Sequence, residues 1–161
     1  MAVVPTEMIS LPLHYLRLMP ADSATFRTWV GAADQAEALA RVYVNREASP
    51  VRPFAVAAWA TNWGREATSG GGRNYFEQVG DLMLMFEDDI AAGLDEADAY
   101  YTFTNTVGAI LAEIEALAGQ AGYLNIVSIA VENGPARPGS DEKQTTDDFY
   151  QALYRIGFQS A

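Results

Sequence analysis

Apolar and polar positions alternate along this chain with two periods, and the clearer one is helical. Between Glu96 and Ala118, residues Tyr100, Phe103, Val107, Ile110, Leu111, Ile114 and Leu117 recur in steps that place them on one stripe of a helix. Gly119 stops that helix. At 1.5 Å per residue it spans roughly 35 Å, enough to cross a small sheet. A shorter helix is expected over Ala32 to Tyr43, where Ala36, Leu39, Ala40 and Tyr43 follow Asp34 as a candidate cap. Asp22 or Ser23 is a candidate cap for a helical turn carrying Phe26, Trp29 and Val30.

Four segments have strand character. Pro53 to Ala60 (PFAVAAWA) is a short apolar run whose proline suits a strand's first position. Asn74 to Glu87 places Leu82, Leu84 and Phe86 on one face and Asp81, Met83, Met85 and Glu87 on the other, and Gly80 marks a bulge or bend. Tyr123 to Val131 alternates, and so does Asp148 to Phe158, with Tyr150, Ala152, Tyr154, Ile156 and Phe158 on one side. The expected fold is α+β in the order α-β-β-α-β-β. A four-stranded, mainly antiparallel sheet carries the long helix on one face, with short helices at the N-terminus. The opposite face, with Met83 and Met85, is too apolar to be wholly wet and is expected to meet the N-terminal helices or a neighbouring subunit.

Residues 1–21 read as an N-terminal arm or first helix, without the basic region and cleavage pattern of a secretory signal, and residues 22–161 as a single α/β domain. Three loops interrupt the pattern. Thr61 to Asn74 contains four glycines and looks too long for a tight hairpin turn. Asp88 to Asp95 carries three aspartates, and Asn133 to Asp147 has two prolines and two glycines. Loops of ~12–15 residues in a compact domain usually bind something or move. Asn62, Trp63, Arg65, Arg73, Asn74, Arg137, Asp141 and Lys143 are therefore the candidate interface residues.

Composition narrows the chemistry. With 21 acidic and 10 basic residues the net charge is −11, which opposes free binding to nucleic acid or an anionic membrane. The chain has no cysteine, which excludes disulfides, thiol nucleophiles and thiolate-held metals. Its one histidine, His14, sits between Leu13 and Tyr15 in an apolar segment, and no GxSxG turn accompanies it, so a packing role is expected. Glu87, Asp88 and Asp89 are hard-cation donors by type, but neighbours on an extended strand point to opposite faces and no EF-hand spacing follows. The glycines of Ser69 to Arg73 invite a phosphate-loop reading that fails for want of a GK[ST] ending or a following helix. No catalytic, cofactor-binding or metal-ligating residue is assigned, and the chain is expected not to be an enzyme.

Several stretches together carry a family likeness: TFRTWVGAADQAEALARVYV (Thr25 to Val44), RPFAVAAW (Arg52 to Trp59), VGDLMLMFE (Val79 to Glu87), the helix ending EIEALAG (Glu113 to Gly119), and FYQALYRIGF (Phe149 to Phe158). Their order and character resemble the tail terminator, or tail-completion, proteins of long-tailed bacteriophages, over residues 22 to 158. The resemblance implies a non-enzymatic virion protein of the neck, made in the host bacterial cytoplasm. Its subunit would join copies of itself in a ring, typically of six, that caps the tail tube and meets the head connector. DNA would be met only in passage through the lumen, and a lumen of negative charge would not grip phosphates. The competing expectations are another neck, head-completion or baseplate protein, or, from a different class, a small-ligand or nucleotide-binding α/β domain.

Overall fold

In the computed structural model the described residues are 3, 5, 10–45, 50–70, 73–136 and 149–159, with only the backbone described for 61–70 and 73–79. The elements run α1 (Ser10–Asp22), α2 (Ala24–Val30), α3 (Gln35–Leu39), β1 (Val42–Val44), β2 (Phe54–Gly70), β3 (Arg73–Asp89), α4 (Glu96–Leu117), β4 (Ile126–Ala136) and β5 (Phe149–Gln159).

Local chemistry explains the helix ends. Asp95 caps α4 by accepting from the Asp98 N–H at 2.9 Å, and Glu96 and Asp98 place negative charge in its first turn, against the positive end of the helix dipole. Gly119 follows the helix with φ of 78°, a left-handed conformation that favours glycine. Ser23, rather than Asp22, caps α2 by accepting from Phe26 N–H, and Asp34 caps α3. The helix expected over Ala32 to Tyr43 is shorter than its periodicity implies. It ends at Leu39, and Val42 to Val44 are extended because their backbone pairs with Ala55 to Ala57.

That pairing is parallel and corrects the expected sheet. Among the described residues five strands, not four, lie in the order β1-β2-β3-β5-β4, with β1 parallel to β2 and every other neighbour antiparallel. The rest of the α+β arrangement stands as expected, a sheet with one long helix and short helices ahead of it. Cross-strand register puts Val42, Ala55, Phe86, Ala152 on one row of a face and Leu82 beside Ile156 on another row of it. These residues form one buried cluster with Phe103, Val107, Ile110 and Ile114 of α4 and with Leu16, Met19 and Phe26 of the first two helices. The N-terminal helices thus share a face with α4 and do not cover the opposite one. On that opposite face Met83, Met85 and Leu153 are half-buried, while Phe54 and Val56 are buried.

The expected loop Thr61 to Asn74 is a second correction. Its residues belong to one long hairpin in which Gly70 pairs with Arg73 and only residues 71 and 72 lie between the strands. The register shifts between Trp59 and Trp63, opposite Leu82 and Gly80, where a bulge or bend is expected from Gly80. Of the other loops, Asp88 and Asp89 belong to β3 and Asn133 to Ala136 to β4, whereas residues 137–148 lie outside the described residues. β4 itself starts at Ile126, three residues later than the alternation from Tyr123 implies.

Candidate functional site

The long hairpin divides into two parts. From Val79 to Glu87, β3 runs between β2 and β5, paired with both except at Asp81, where the register with β2 shifts, and Asp88 and Asp89 pair with β5 alone. Beyond Val79 the pairing with β5 ends, and from Arg65/Gln78 to Gly70/Arg73 six rungs contain only β2 and β3. Six rungs of antiparallel strand extend roughly 20 Å. Both edges of this ribbon carry backbone groups without a strand partner among the described residues, and an isolated two-stranded hairpin is marginal in water.

The sequence-predicted interface residues divide accordingly. Asn62, Trp63 and Arg65 lie on the β2 arm and Arg73 and Asn74 on the β3 arm, so one hairpin brings five of the eight together. Arg137, Asp141 and Lys143 lie outside the described residues. Trp63 pairs with Gly80 where the ribbon leaves the sheet, and Arg73 stands at the terminal rung.

The acidic triplet at the end of β3 divides between the two faces of the sheet, Glu87 and Asp89 meeting Arg52 on one and Asp88 meeting Trp29 on the other. Glu87 is fully buried and accepts two bonds from Arg52, at 3.0 and 2.8 Å, and one from Gln151 Nε2 at 3.2 Å. Asp89 is exposed and accepts from Arg52 at 3.2 Å. The Arg52 guanidinium lies 4.1 Å over the Phe149 ring. Asp88, on the other face, accepts from the indole of Trp29 at 2.9 Å. Burial holds its carboxyl above the usual aspartate range, and the Trp29 bond only partly offsets this. Among the described residues, no three His, Asp or Glu side chains gather where they could hold a metal ion.

Sequence reading missed the contact of Glu113 with α2. Glu113 accepts from Ser23 Oγ at 2.5 Å, Thr25 Oγ1 at 2.6 Å and Thr25 N–H at 3.2 Å, tying the last turns of α4 to the start of α2. Burial would raise this carboxyl, but the bonds donated by Ser23 and Thr25 outweigh it and hold it below the glutamate range. The signal available in the sequence was a serine and a threonine at a helix start, which predicts a cap but not the acid that meets it. His14 lies half-buried on α1, and burial and the nearby Arg17 charge lower its pKa.

A cleft of about 680 Å³ opens at the start of α4, between Asp95, Glu96, Ala97, Tyr100 and Tyr101 of the helix side and Tyr150 of β5. Tyr100 and Tyr150 meet edge-on at 5.8 Å, and Tyr100 donates to the Pro135 carbonyl at 3.2 Å. Among the described residues, no helix is long and apolar enough to cross a membrane. No protein-family model matches the chain, and no curated protein matches it.

Proposed function

We propose that this protein is a non-enzymatic assembly subunit, and specifically a tail terminator subunit of a long-tailed phage. Copies of the chain join in a closed ring, typically of six, which caps the tail tube and joins it to the head connector. The observation that carries this reading is the six-rung ribbon beyond β5, a backbone element whose two edges have no strand partner among the described residues and on which the candidate interface residues Arg65, Arg73 and Asn74 lie. Such an element gains stability by contact with another chain, and a head-to-tail contact that closes makes a ring. The segment order of the tail terminator family supports the choice of assembly. The acidic balance, 21 against 10, suits a lumen through which DNA passes without being held.

The test is a native mass measurement of the full chain, alone and after mixing with purified tail tubes. A closed ring alone or on the tube is the expected result. A monomer in both settings, or turnover of a small molecule by the pure protein, overturns the reading.

A further inference from the structure

We infer that β4 is a guarded edge, a strand whose built-in bulges stop the sheet from adding a strand of a second copy. This goes beyond the assembly reading and does not depend on it, since it concerns a contact that is prevented. The need for a guard is visible in the strand itself. β4 runs for 11 residues, Ile126–Ala136, with β5 on one side and no strand on the other among the described residues. Val127 and Val131 are each 61% exposed on it. A long edge strand with open valines and unpaired backbone groups is a template for another chain. The other edge of the sheet meets the same hazard by brevity. There β1 is three residues long, and Asn45 ends it with a left-handed φ of 60°.

β4 meets it by irregularity. Its pairing with β5 slips three times, and each slip inserts one extra residue. Ile126 and Ser128 face the consecutive residues Phe158 and Gly157, which leaves Val127 over. Val131 and Asn133 face Tyr154 and Leu153, which leaves Glu132 over. Asn133 and Ala136 face Leu153 and Gln151, which leaves over one of Gly134 and Pro135. An extra residue bends the strand, sharpens its twist and breaks the alternation of N–H and C=O groups along its outer side. A straight incoming strand can therefore follow only Ser128 to Val131, four residues between slips. The ends are closed as well. The Ile126 N–H donates to the Leu124 carbonyl at 3.1 Å, Pro135 has no N–H to give, and its carbonyl accepts from Tyr100 at 3.2 Å. Glu132, the extra residue of the middle slip, accepts from Arg155 at 3.0 and 2.9 Å, which sets a charged pair on the edge.

Because each slip holds a single extra residue, deleting Val127, Glu132 and Pro135 straightens β4 while every remaining paired residue keeps its β5 partner and its face. The straightened chain is compared with the unaltered protein by native mass and amide hydrogen exchange. It should associate as concentration rises, and exchange across residues 128–131 should then slow by about tenfold or more. In the unaltered protein, exchange across β4 should change neither with concentration nor on assembly. A straightened chain that keeps a thermal transition yet associates no more than the unaltered one overturns the inference. Deleting Glu132 alone is the milder variant, and it carries the same decision if the triple deletion does not fold. Should neither fold, the unaltered protein decides: slowed β4 exchange at high concentration overturns the inference, and unchanged exchange upholds it. If rings form and β4 is protected in them, the edge inference falls while the assembly reading stands. If no ring forms alone or on tubes but the straightened chain associates, the assembly reading falls and the guarded edge stands.

Discussion

The two ends of one hairpin live in different worlds. At the sheet end, Leu82, Leu84 and Phe86 are fully buried between paired strands and beneath the helices. At the far end, the same two strands continue for six rungs with no third strand beside them among the described residues. Strand geometry is shared and hydrogen-bond register is continuous apart from the shift near Trp59, so backbone pairing alone does not separate the two ends. Neighbours do. A rung flanked by β5 and roofed by α4 contributes to the stability of the fold, whereas a rung of the ribbon is flanked by no third strand among the described residues. One hairpin is therefore core at one end and, under the proposed assembly, interface at the other.

Perturbations of the sheet end should be the most damaging. Ile110→Asp puts a carboxylate under the roof of the sheet at a position with no exposed surface, a cost of several kcal/mol that rivals the stability of a domain. The variant should be insoluble or lack a thermal transition, and a soluble variant with unchanged Tm would break the assignment of the α4 stripe. Leu84→Ala should cost about 3 kcal/mol in urea unfolding, the usual scale for a cavity in a close-packed core.

Glu113→Ala comes next, at about 2 kcal/mol, because it leaves the buried Ser23 hydroxyl without its acceptor and breaks the tie between α4 and α2. Its pH signature sharpens the assignment. A carboxyl held low when folded stabilises the fold above the ordinary glutamate range near 4.5, and that contribution is lost as pH falls through the range and below it. Glu113→Gln should remove this part of the acid sensitivity. At Asp88 the sign reverses, since a raised carboxyl opposes folding as it ionises with rising pH.

The ribbon end should respond least in the isolated subunit. Deleting residues 69–72 rejoins Thr68 to Arg73 and leaves Thr68 and Tyr75, already paired, two residues apart across the new connection. Unfolding free energy should move by about 0.5 kcal/mol or less, while ring formation read by native mass should be impaired. A large loss of monomer stability would show that the ribbon packs on its own subunit and would erase the contrast between the two ends.

Legibility in the sequence followed the same division. The long helix was readable to within a residue, because Phe103, Val107, Ile110 and Ile114 face a single apolar surface and so keep a strict period. β5 was equally clear, since Tyr150, Ala152, Tyr154, Ile156 and Phe158 alternate against solvent-side neighbours. The β2 arm of the ribbon reads as a loop because TNWGREATSG has four glycine, serine or asparagine positions and no apolar alternation, whereas the β3 arm from Asn74 on reads as a strand. β1 was hidden for another reason: three residues are too few to set a period, and Tyr43 happens to fall in step with the helix before it. The cleft at α4 was invisible because Tyr100 reads as part of the stripe, Glu96 as a helix start, and only the tertiary fold brings Tyr150 to them.

Strand order also dictates a sequence of events. β5 follows β4 along the chain yet lies between β3 and β4 in the sheet. Among the described residues β4 pairs only with β5, so it joins the sheet only when β5 settles against β3, and that step closes a loop spanning α4 and β4. The β2–β3 hairpin is local and can form early, whereas insertion of β5 is the non-local step that should limit the folding rate. During that wait the inner edge of β3, with Leu82, Leu84 and Phe86 not yet covered, is the surface most open to mispairing with other nascent chains. Expression conditions that slow crowding of unfolded chains should therefore raise the soluble yield more than any change to the ribbon.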